Sequence, residues 1–513
     1  MLALGFSAAM LGIDGYVVRV EADTSPGTPE FSIIGLPDRA LREARDRVRA
    51  AIFNSGFAYP PGRVLVNLSP ADVRKEGPAF DLPIALALLA IDGQIDRDTL
   101  RAYVALGELM LDGTVRAVGG ILPMVLGAKN AGFTRLILPR ANAEEAALID
   151  GIEIYAVDTL HAAIAVLTGN GAKWRVQPSV VSPHAGSESY YGDFADVRGQ
   201  AGAKRALEIA AAGGHNALFV GPPGCGKTML ARRLPSILPP MSAAEALEVT
   251  KIYSVAGLLG THPGIVQARP FRFPHHTISQ TALVGGGGSA VKPGEISLAH
   301  NGVLFLDELP EFTRSAIEVM RQPLEEGSVT IARAAGTFTY PAQFMLVASM
   351  NPCPCGYRGT RSAECRCDDA AVAKYVSKLS GPLLDRIDLQ IEVTRVAFDD
   401  MVAPERAERS ATIRDRVIAA RERQRKRFAG TAITCNGEIP GNAVKTFCAL
   451  DADAMHVLAN ASARRQFSAR ALDRIARAAR TIADLARSEN ITAEHVAEAI
   501  HYRSLERLDT RAA

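Results

Sequence analysis

What the chain lacks narrows its nature before any motif is read. No stretch of the 513 residues approaches the run of about 18 uncharged apolar residues that a membrane-spanning helix needs, so no membrane partner is expected. Net charge is nearly absent: 57 Lys and Arg against 55 Asp and Glu leave +2, a balance that says nothing about a partner. The opening residues Met1-Leu-Ala-Leu-Gly-Phe-Ser7 lack the basic start of a signal peptide, and a cytoplasmic location is expected. No internal repeat with a period of about 20–50 residues is visible. In a cytoplasmic chain the seven cysteines read as metal ligands or bystanders rather than as disulfides.

At this length a single core does not suffice, and about two to four domains are expected. Residues 1–170 alternate strand-like runs (Tyr16–Glu21, Arg63–Asn67) with helix-like ones (Arg39–Asn54, Leu82–Ile91, Pro123–Ala131). Residues 171–195 are rich in Ser, Pro and Gly without an apolar period and read as a linker. Residues 196–395 alternate strands and helices, as an α/β nucleotide-binding domain does. Residues 396–513 read as helical: Glu405–Phe428 as one long charged helix, Ser468–Ser488 as another, and Thr492 as the cap of a third.

The third segment contains Gly221-Pro222-Pro223-Gly224-Cys225-Gly226-Lys227-Thr228, a complete P-loop. It follows the apolar run Ala217-Leu-Phe-Val220 and precedes the helical run Met229–Leu234, the context the motif requires. Its glycines let backbone N–H groups close around phosphate oxygens, and the helix N-terminus adds positive potential. Lys227 is expected to reach the β- and γ-phosphates and Thr228 to ligate Mg²⁺, so ATP and Mg²⁺ are the expected cofactors. A second apolar strand, Val303-Leu-Phe-Leu306, ends in Asp307 and Glu308. Asp307 is expected to hold the Mg²⁺ and Glu308 to polarise the attacking water, the usual staging of phosphoryl transfer. Cys225, inside the loop, is a candidate for oxidation.

With these parts the chain resembles the AAA+ ATPases. Phe344–Asn351 is a third strand ending in Asn351, similar to the sensor 1 residue that positions the lytic water. Ser380–Asp388 resembles the segment that carries an arginine finger, here Arg386. Arg470, in Phe467-Ser-Ala-Arg470, resembles the sensor 2 arginine of a helical lid. An arginine offsets the charge that spreads over the γ-phosphate oxygens. Because AAA+ fingers are donated by the neighbouring subunit, the resemblance implies a homo-oligomer, a hexameric ring. For both arginines a surface salt bridge is the alternative.

Asp196-Val-Arg-Gly-Gln200, Phe271–Ser279 and Ser380–Asp388 narrow the resemblance to the magnesium-chelatase-like AAA+ proteins of the YifB/ComM group, nearly end to end. That resemblance implies a ring-shaped DNA motor that drives branch migration in natural transformation, with branched or single-stranded DNA as partner. Lys75–Ala85 and Gly107–Leu122 are similar to the active-site segments of Lon-type proteases, of the S5 domain 2-like fold. The positions of the nucleophilic Ser and catalytic Lys are Ala79 and Leu122 here, and neither can act as nucleophile or base. The expected fold is therefore α/β throughout the first two domains. It consists of a Lon-like N-terminal domain without peptidase chemistry (1–170), an AAA+ core (196–395) and a helical lid (396–513).

Cys353-Pro-Cys355 and Cys365-Arg-Cys367 follow the sensor strand. Two Cys-x-Cys pairs can supply four thiolates to one structural Zn²⁺, which would brace a loop reaching toward DNA or a neighbouring subunit. Redox-active or unligated thiols are the alternative. For DNA, Arg333 near the turn of a hairpin at Ser328–Tyr340 is a pore candidate, and Lys292, after the flexible loop Gly285–Gly288, is a second. Residues 396–513 hold 20 Lys and Arg against 16 Asp and Glu, densest at Arg421–Arg427. That run suits phosphates but also suits a solvated helix end. His275 and His276 read equally as DNA or neighbour contacts and as structural residues. The rival function is a chelatase-type motor subunit that remodels a protein partner.

Overall fold

The computed structural model describes residues 2–75, 77–177, 191–259, 264–287, 291–333, 336–359, 365–379, 381–396 and 407–503. Residues 178–190 of the expected linker, Gly288, Ser380 and Glu405 lie outside the described residues.

The N-terminal part is built on one mixed sheet. Its strands are β1 (Leu2–Leu11), β2 (Asp14–Ser25), β3 (Glu30–Ile34), β4 (Arg63–Ser69) and β5 (Val104–Ala105), followed after a small β6–β7 ribbon (Glu108–Leu109, Val115–Arg116) by β8 (Arg135–Pro139) and β9 (Glu153–Val157). They lie in the order β3-β4-β2-β1-β5-β8-β9, with β1, β2 and β4 antiparallel and the β5-β8-β9 side parallel. Strand β4 alternates by burial, with Val64, Val66 and Leu68 inward and Arg63 and Leu65 outward, as a sheet with one covered face demands. The helix Asp81–Ile91 is apolar on all sides and buried along its whole length, the mark of a central helix. The chain packs onto β9 as far as Val176, whose N–H donates to the Ile154 carbonyl at 2.8 Å. The N-terminal unit thus runs past residue 170, into the segment whose composition reads as linker.

The middle part has a five-stranded parallel sheet. In chain order its strands are β10 (Ala217–Val220), β11 (Phe271–Arg272), β14 (Val303–Leu306), β17 (Met345–Met350) and β18 (Leu389–Glu392), in the spatial order β11-β14-β17-β10-β18. Two antiparallel ribbons interrupt the sequence, β12–β13 (Gly285–Gly286, Lys292–Pro293) and β15–β16 (Ser328–Arg333, Gly336–Pro341). Strands β10, β14 and β17 are buried at every position because both faces are covered. One face packs on Phe194, Ile209 and the C-terminal helices. The other packs on Ile317, Ile331 and Tyr340. Ile13, at the β1–β2 turn, enters this second cluster, and Lys251 pairs with Asp14 at 3.2 Å, so the N-terminal sheet is seated on the middle domain.

The C-terminal part is helical: Ser410–Arg427, Ala452–Arg465, Ala469–Leu485 and Ala493–His501. Ser468 and Asp451 cap their helices through side-chain oxygens, and Thr492 forms a capping box with His495. The long charged helix begins later than its sequence pattern predicts. Arg409 is extended, and the N–H of Ser410 donates to the Asp193 carboxylate at 3.0 Å. Three arginines of the Arg421–Arg427 run turn inward, while Arg425 and Lys426 stay exposed. Arg421 donates to the Ala211 carbonyl at 3.1 Å, Arg423 to the Asp484 carbonyl at 2.9 Å, and the Arg427 fork grips the buried Asp484 carboxylate.

Asp388 joins the sheet to the helical part. Its carboxylate accepts from Arg474 at 2.6 Å and from the Asn216 N–H at 2.9 Å, with the His215 ring 3.7 Å away. Burial acts to raise its pKa, but Arg474, His215 and Arg477 outweigh burial and hold the carboxyl well below the usual carboxylate range. The unfolded chain therefore binds this proton more readily than the folded one. The stability Asp388 contributes is complete above about pH 4 and is lost as pH falls toward the folded value. Asp388→Ala leaves a buried guanidinium without its partner and is expected to cost about 3–5 kcal/mol at pH 7. Thermal melts from pH 3 to 8 check both points: the variant melts lower at neutral pH, and the gap to wild type holds down to about pH 4 and begins to narrow below it.

Candidate active site

Lys227 opens the helix Lys227–Arg233 directly after the glycine loop, with Gly224 and Gly226 at φ of 75° and 95°. Those positive φ values admit glycine and strain other residues. The Lys227 ammonium donates to the carbonyls of Gly221 at 2.6 Å and Pro222 at 2.9 Å, and to Asn351 Oδ1 at 3.1 Å. Burial pulls its pKa below the ordinary lysine value, and the thiol of Cys225, with Asp307 and Glu308, acts against burial. Anionic phosphate would reverse that penalty. Cys225 is 5% exposed and burial pushes its thiol up, which places it with inert buried cysteines rather than oxidisable ones.

Asp307 stands at the carboxyl end of β14, beside the P-loop helix. Its Oδ2 accepts from Thr228 Oγ1 at 2.7 Å, so the two expected Mg²⁺ ligands already touch. Its Oδ1 accepts from Ser349 Oγ, whose oxygen also accepts the Glu308 N–H at 3.3 Å. Ser349 is a residue sequence reasoning passed over, although a lone hydroxyl in the apolar strand Met345–Met350 was a usable signal. Glu308 has φ 54° and ψ 48°, left-handed for a non-glycine residue. The turn holds its carboxylate out, exposed and 3.7 Å from His276. Of the two candidate histidines, His276 therefore belongs beside Glu308, while the His275 ring lies 4.1 Å from the His276 ring.

Gln200 is a second residue without a sequence-assigned role. Its amide donates to the Cys225 carbonyl at 3.2 Å and the Thr394 carbonyl at 2.6 Å, tying the P-loop to the end of β18. Beside it opens a cavity of about 250 Å³ lined by Gln200–Ala203, Glu392 and Thr394–Val396. Four groups thus converge at the carboxyl ends of β10, β14 and β17: an ammonium, a hydroxyl–carboxylate pair, a raised carboxylate and an amide. Together they can cradle a triphosphate, hold a divalent cation and orient water.

The two expected arginines do not join this cluster. Arg386 precedes β18, whose first residue pairs with the first residue of β10, so it stands at the amino edge of the sheet and the P-loop at the carboxyl edge. It is 8% exposed and paired with Glu325. Arg470 lies near it, 3.6 Å from Asp385, with its side chain 68% exposed. Neither is placed to serve the P-loop of its own chain.

Arg333 and Lys292 are brought together. Both are exposed, and a Cβ on Gly286 would lie 3.1 Å from the Arg333 guanidinium. Gly285–Gly286 are not a flexible loop as their sequence suggests. They pair with Lys292–Pro293, because at Gly285 the absent Cβ admits the Lys292 carbonyl at 2.6 Å. In the N-terminal part Ala79 and Leu122 meet in one buried apolar cluster, hydrocarbon at both positions of the Lon dyad.

The sulfurs of Cys353, Cys355, Cys365 and Cys367 all lie within 4.8 Å of one another, an arrangement able to hold a metal ion. Cys353 is 3.4 Å from Cys355 and 3.6 Å from Cys365. Tetrahedral thiolates on Zn²⁺, with bonds of about 2.3 Å, stand about 3.8 Å apart, so the donor set fits.

Comparison with known proteins agrees with this geometry. Residues 193–401 match the family model described as magnesium chelatase, subunit ChlI, with further matches to subunit ChlI of Mg-chelatase at 20–142 and its C-terminal part at 407–503. The chain is 43% identical over 512 residues to competence protein ComM of Haemophilus influenzae, covering 99% of this chain and 98% of that protein. It is 43% identical over 511 residues to the uncharacterized protein YifB of Escherichia coli, with 99% and 98% covered. Lon protease 1 of Sorangium cellulosum is 31% identical over 181 residues, 32% of this chain and 21% of the protease. No helix among the described residues is long and apolar enough to cross a membrane.

Glu308→Gln removes the group expected to polarise water but leaves the phosphate cradle intact. It is expected to lower ATP turnover by about 100-fold or more while leaving nucleotide affinity within about threefold. Lys227→Ala is expected to lose both. Steady-state hydrolysis and equilibrium binding of a fluorescent ATP analogue separate the two outcomes.

Proposed function

The chain belongs to the YifB/ComM-type magnesium-chelatase-like family, and from that premise we propose that it is a cytoplasmic, ring-forming AAA+ motor that uses ATP hydrolysis to move on DNA. Family membership implies the ATPase activity. Lys227 and the loop Gly221–Thr228 bind the phosphates, Thr228 and Asp307 hold Mg²⁺, Glu308 polarises water, and Asn351 orients the γ-phosphate side of the site. Gln200 and the cavity beside it receive the base.

One observation carries the oligomer: Arg386 and Arg470 share an edge of the sheet opposite the P-loop. A subunit whose P-loop lacks these two arginines on one side and carries them on the other is completed by a neighbour, and a closed head-to-tail ring satisfies every copy. Hydrolysis then proceeds between subunits. The exposed Arg333 and Lys292, on two ribbons that pack together, support a nucleic-acid contact at phosphates. The name of the 43% identical competence protein ComM favours DNA taken up in transformation, where a ring motor would drive branch migration. The N-terminal sheet is read as a Lon-like domain serving assembly, and the four cysteines as a Zn²⁺ site.

ATPase rates with single-stranded, duplex and branched DNA, and with none, test the partner. DNA, most of all branched DNA, is expected to raise the rate, and Lys227→Ala to abolish branch migration of a four-way junction. Equal rates in all four conditions would instead favour a motor that remodels a protein, and absence of DNA binding at low salt would sink the DNA reading. Mixing tests the shared site: Arg386→Ala and Lys227→Ala are each expected to be inactive, and together to recover a measurable fraction of activity.

A further inference from the structure

We infer that Cys353, Cys355, Cys365 and Cys367 hold a zinc ion that positions the phosphate loop, through contact of Gly356 with Pro223. The inference rests on the nucleotide site proposed above and gives the metal a task there.

Three observations place the knuckle on the active site. Cys353 is the third residue after β17 and the second after Asn351, whose side chain is 3.1 Å from Lys227 Nζ. Gly356 has φ 85°, and a Cβ there would lie 2.7 Å from Pro223 Cδ and 3.7 Å from the Asn351 amide carbon. The backbone of the knuckle is therefore wedged between the P-loop proline and the sensor asparagine, at a spacing that only glycine permits. On the far side, Asp368 directly after Cys367 caps the helix Asp369–Val376, and that helix sets the buried Tyr375 phenol beside the Asn351 backbone amide.

A loop with two prolines, Pro352 and Pro354, and few apolar residues has little of its own to fix this wedge. Four metal–thiolate bonds supply the constraint, since a site with all positions filled by protein is closed and rigid. The ion fixes Cys353 and Cys355, the turn in which the Gly356 N–H donates to the Cys353 carbonyl at 3.0 Å fixes Gly356, and Gly356 fixes Pro223. Pro223 follows Pro222, whose carbonyl holds Lys227. Zinc occupancy thereby sets the shape of the phosphate cradle without touching nucleotide.

The test compares two glycines of the same loop in the full-length protein. Gly356→Ala presses a methyl group on Pro223, whereas Gly359→Ala, at φ 77° with no neighbouring atom within 4 Å, imposes similar backbone strain without that contact. Metal analysis is expected to find one zinc per chain in wild type and in both variants. Affinity for a fluorescent ATP analogue is expected to fall about tenfold in Gly356→Ala and to stay within about twofold in Gly359→Ala. Stripping zinc with a chelator is expected to lower affinity like Gly356→Ala, and restoring Zn²⁺ to recover it. Wild type that binds ATP but carries no zinc, with all four thiols freely titratable, overturns the metal. Zinc present with unchanged affinity in Gly356→Ala and in stripped protein overturns the coupling. Wild type that fails to bind nucleotide at all overturns the site on which the inference rests.

Discussion

Strand β10 lies between β17 and β18, parallel to both, and the chemistry of this protein depends on that placement. A parallel sheet lines up the carboxyl ends of its strands at one edge. The loop leaving β10 must then meet the polar residues leaving β17 and β14. Lys227 reaches Asn351 across 124 residues of sequence, and Thr228 reaches Asp307 across 79, because β10, β17 and β14 run parallel and end at the same edge of the sheet. The same register sends Arg386, which precedes β18, to the other edge. One topological fact both assembles the phosphate site and leaves it without its arginines.

Polar groups buried at the joints keep the parts of the chain in register. Asp388 receives Arg474 from the helical part and the Asn216 N–H from the sheet. Asp193 and Ser410 exchange contacts that begin the long charged helix, and Asp484 gathers Arg427 and Asn436. The partners of Asp388 and Asp193 outweigh burial and hold both carboxyls below the usual range, so these joints are specific in position as well as attractive. The N-terminal sheet is joined by Ile13 pressed into the apolar cluster of the middle domain, with polar contacts from Lys251 to Asp14 and from Ser254 to Glu145.

Much of this architecture was legible in the order of residues. Helix Arg39–Asn54 lies where its apolar period puts it, and the β15–β16 hairpin turns at Arg333 as the alternation of Ser328–Tyr340 implies. The P-loop and the Asp307–Glu308 pair are local patterns whose chemistry needs adjacent residues, so their spacing identifies them. Other features were not legible, each for a physical reason. The Arg421–Arg427 run looks like a phosphate surface, and only contacts with Ala211 and Asp484 turn Arg421, Arg423 and Arg427 inward. Gly285 and Gly286 look flexible, yet the missing Cβ serves close strand pairing. Ser349 and Gln200 act through partners distant in sequence, and a single polar residue does not announce its acceptor.

Composition and motif by themselves carried the expectation of a triphosphate with its cation, the apolar Ala79 and Leu122 in the Lon-like segments, and the four candidate thiolates, because each rests on side-chain identity at short spacing. The tertiary structure decided what those parts are connected to. It seats the cysteine knuckle on Pro223, joins Arg333 to the Lys292 ribbon, and sets Arg386 and Arg470 apart from the P-loop of their own chain. Sequence spacing fixes which groups can act on a phosphate, whereas strand order and direction fix which of them stand at the same edge of the sheet.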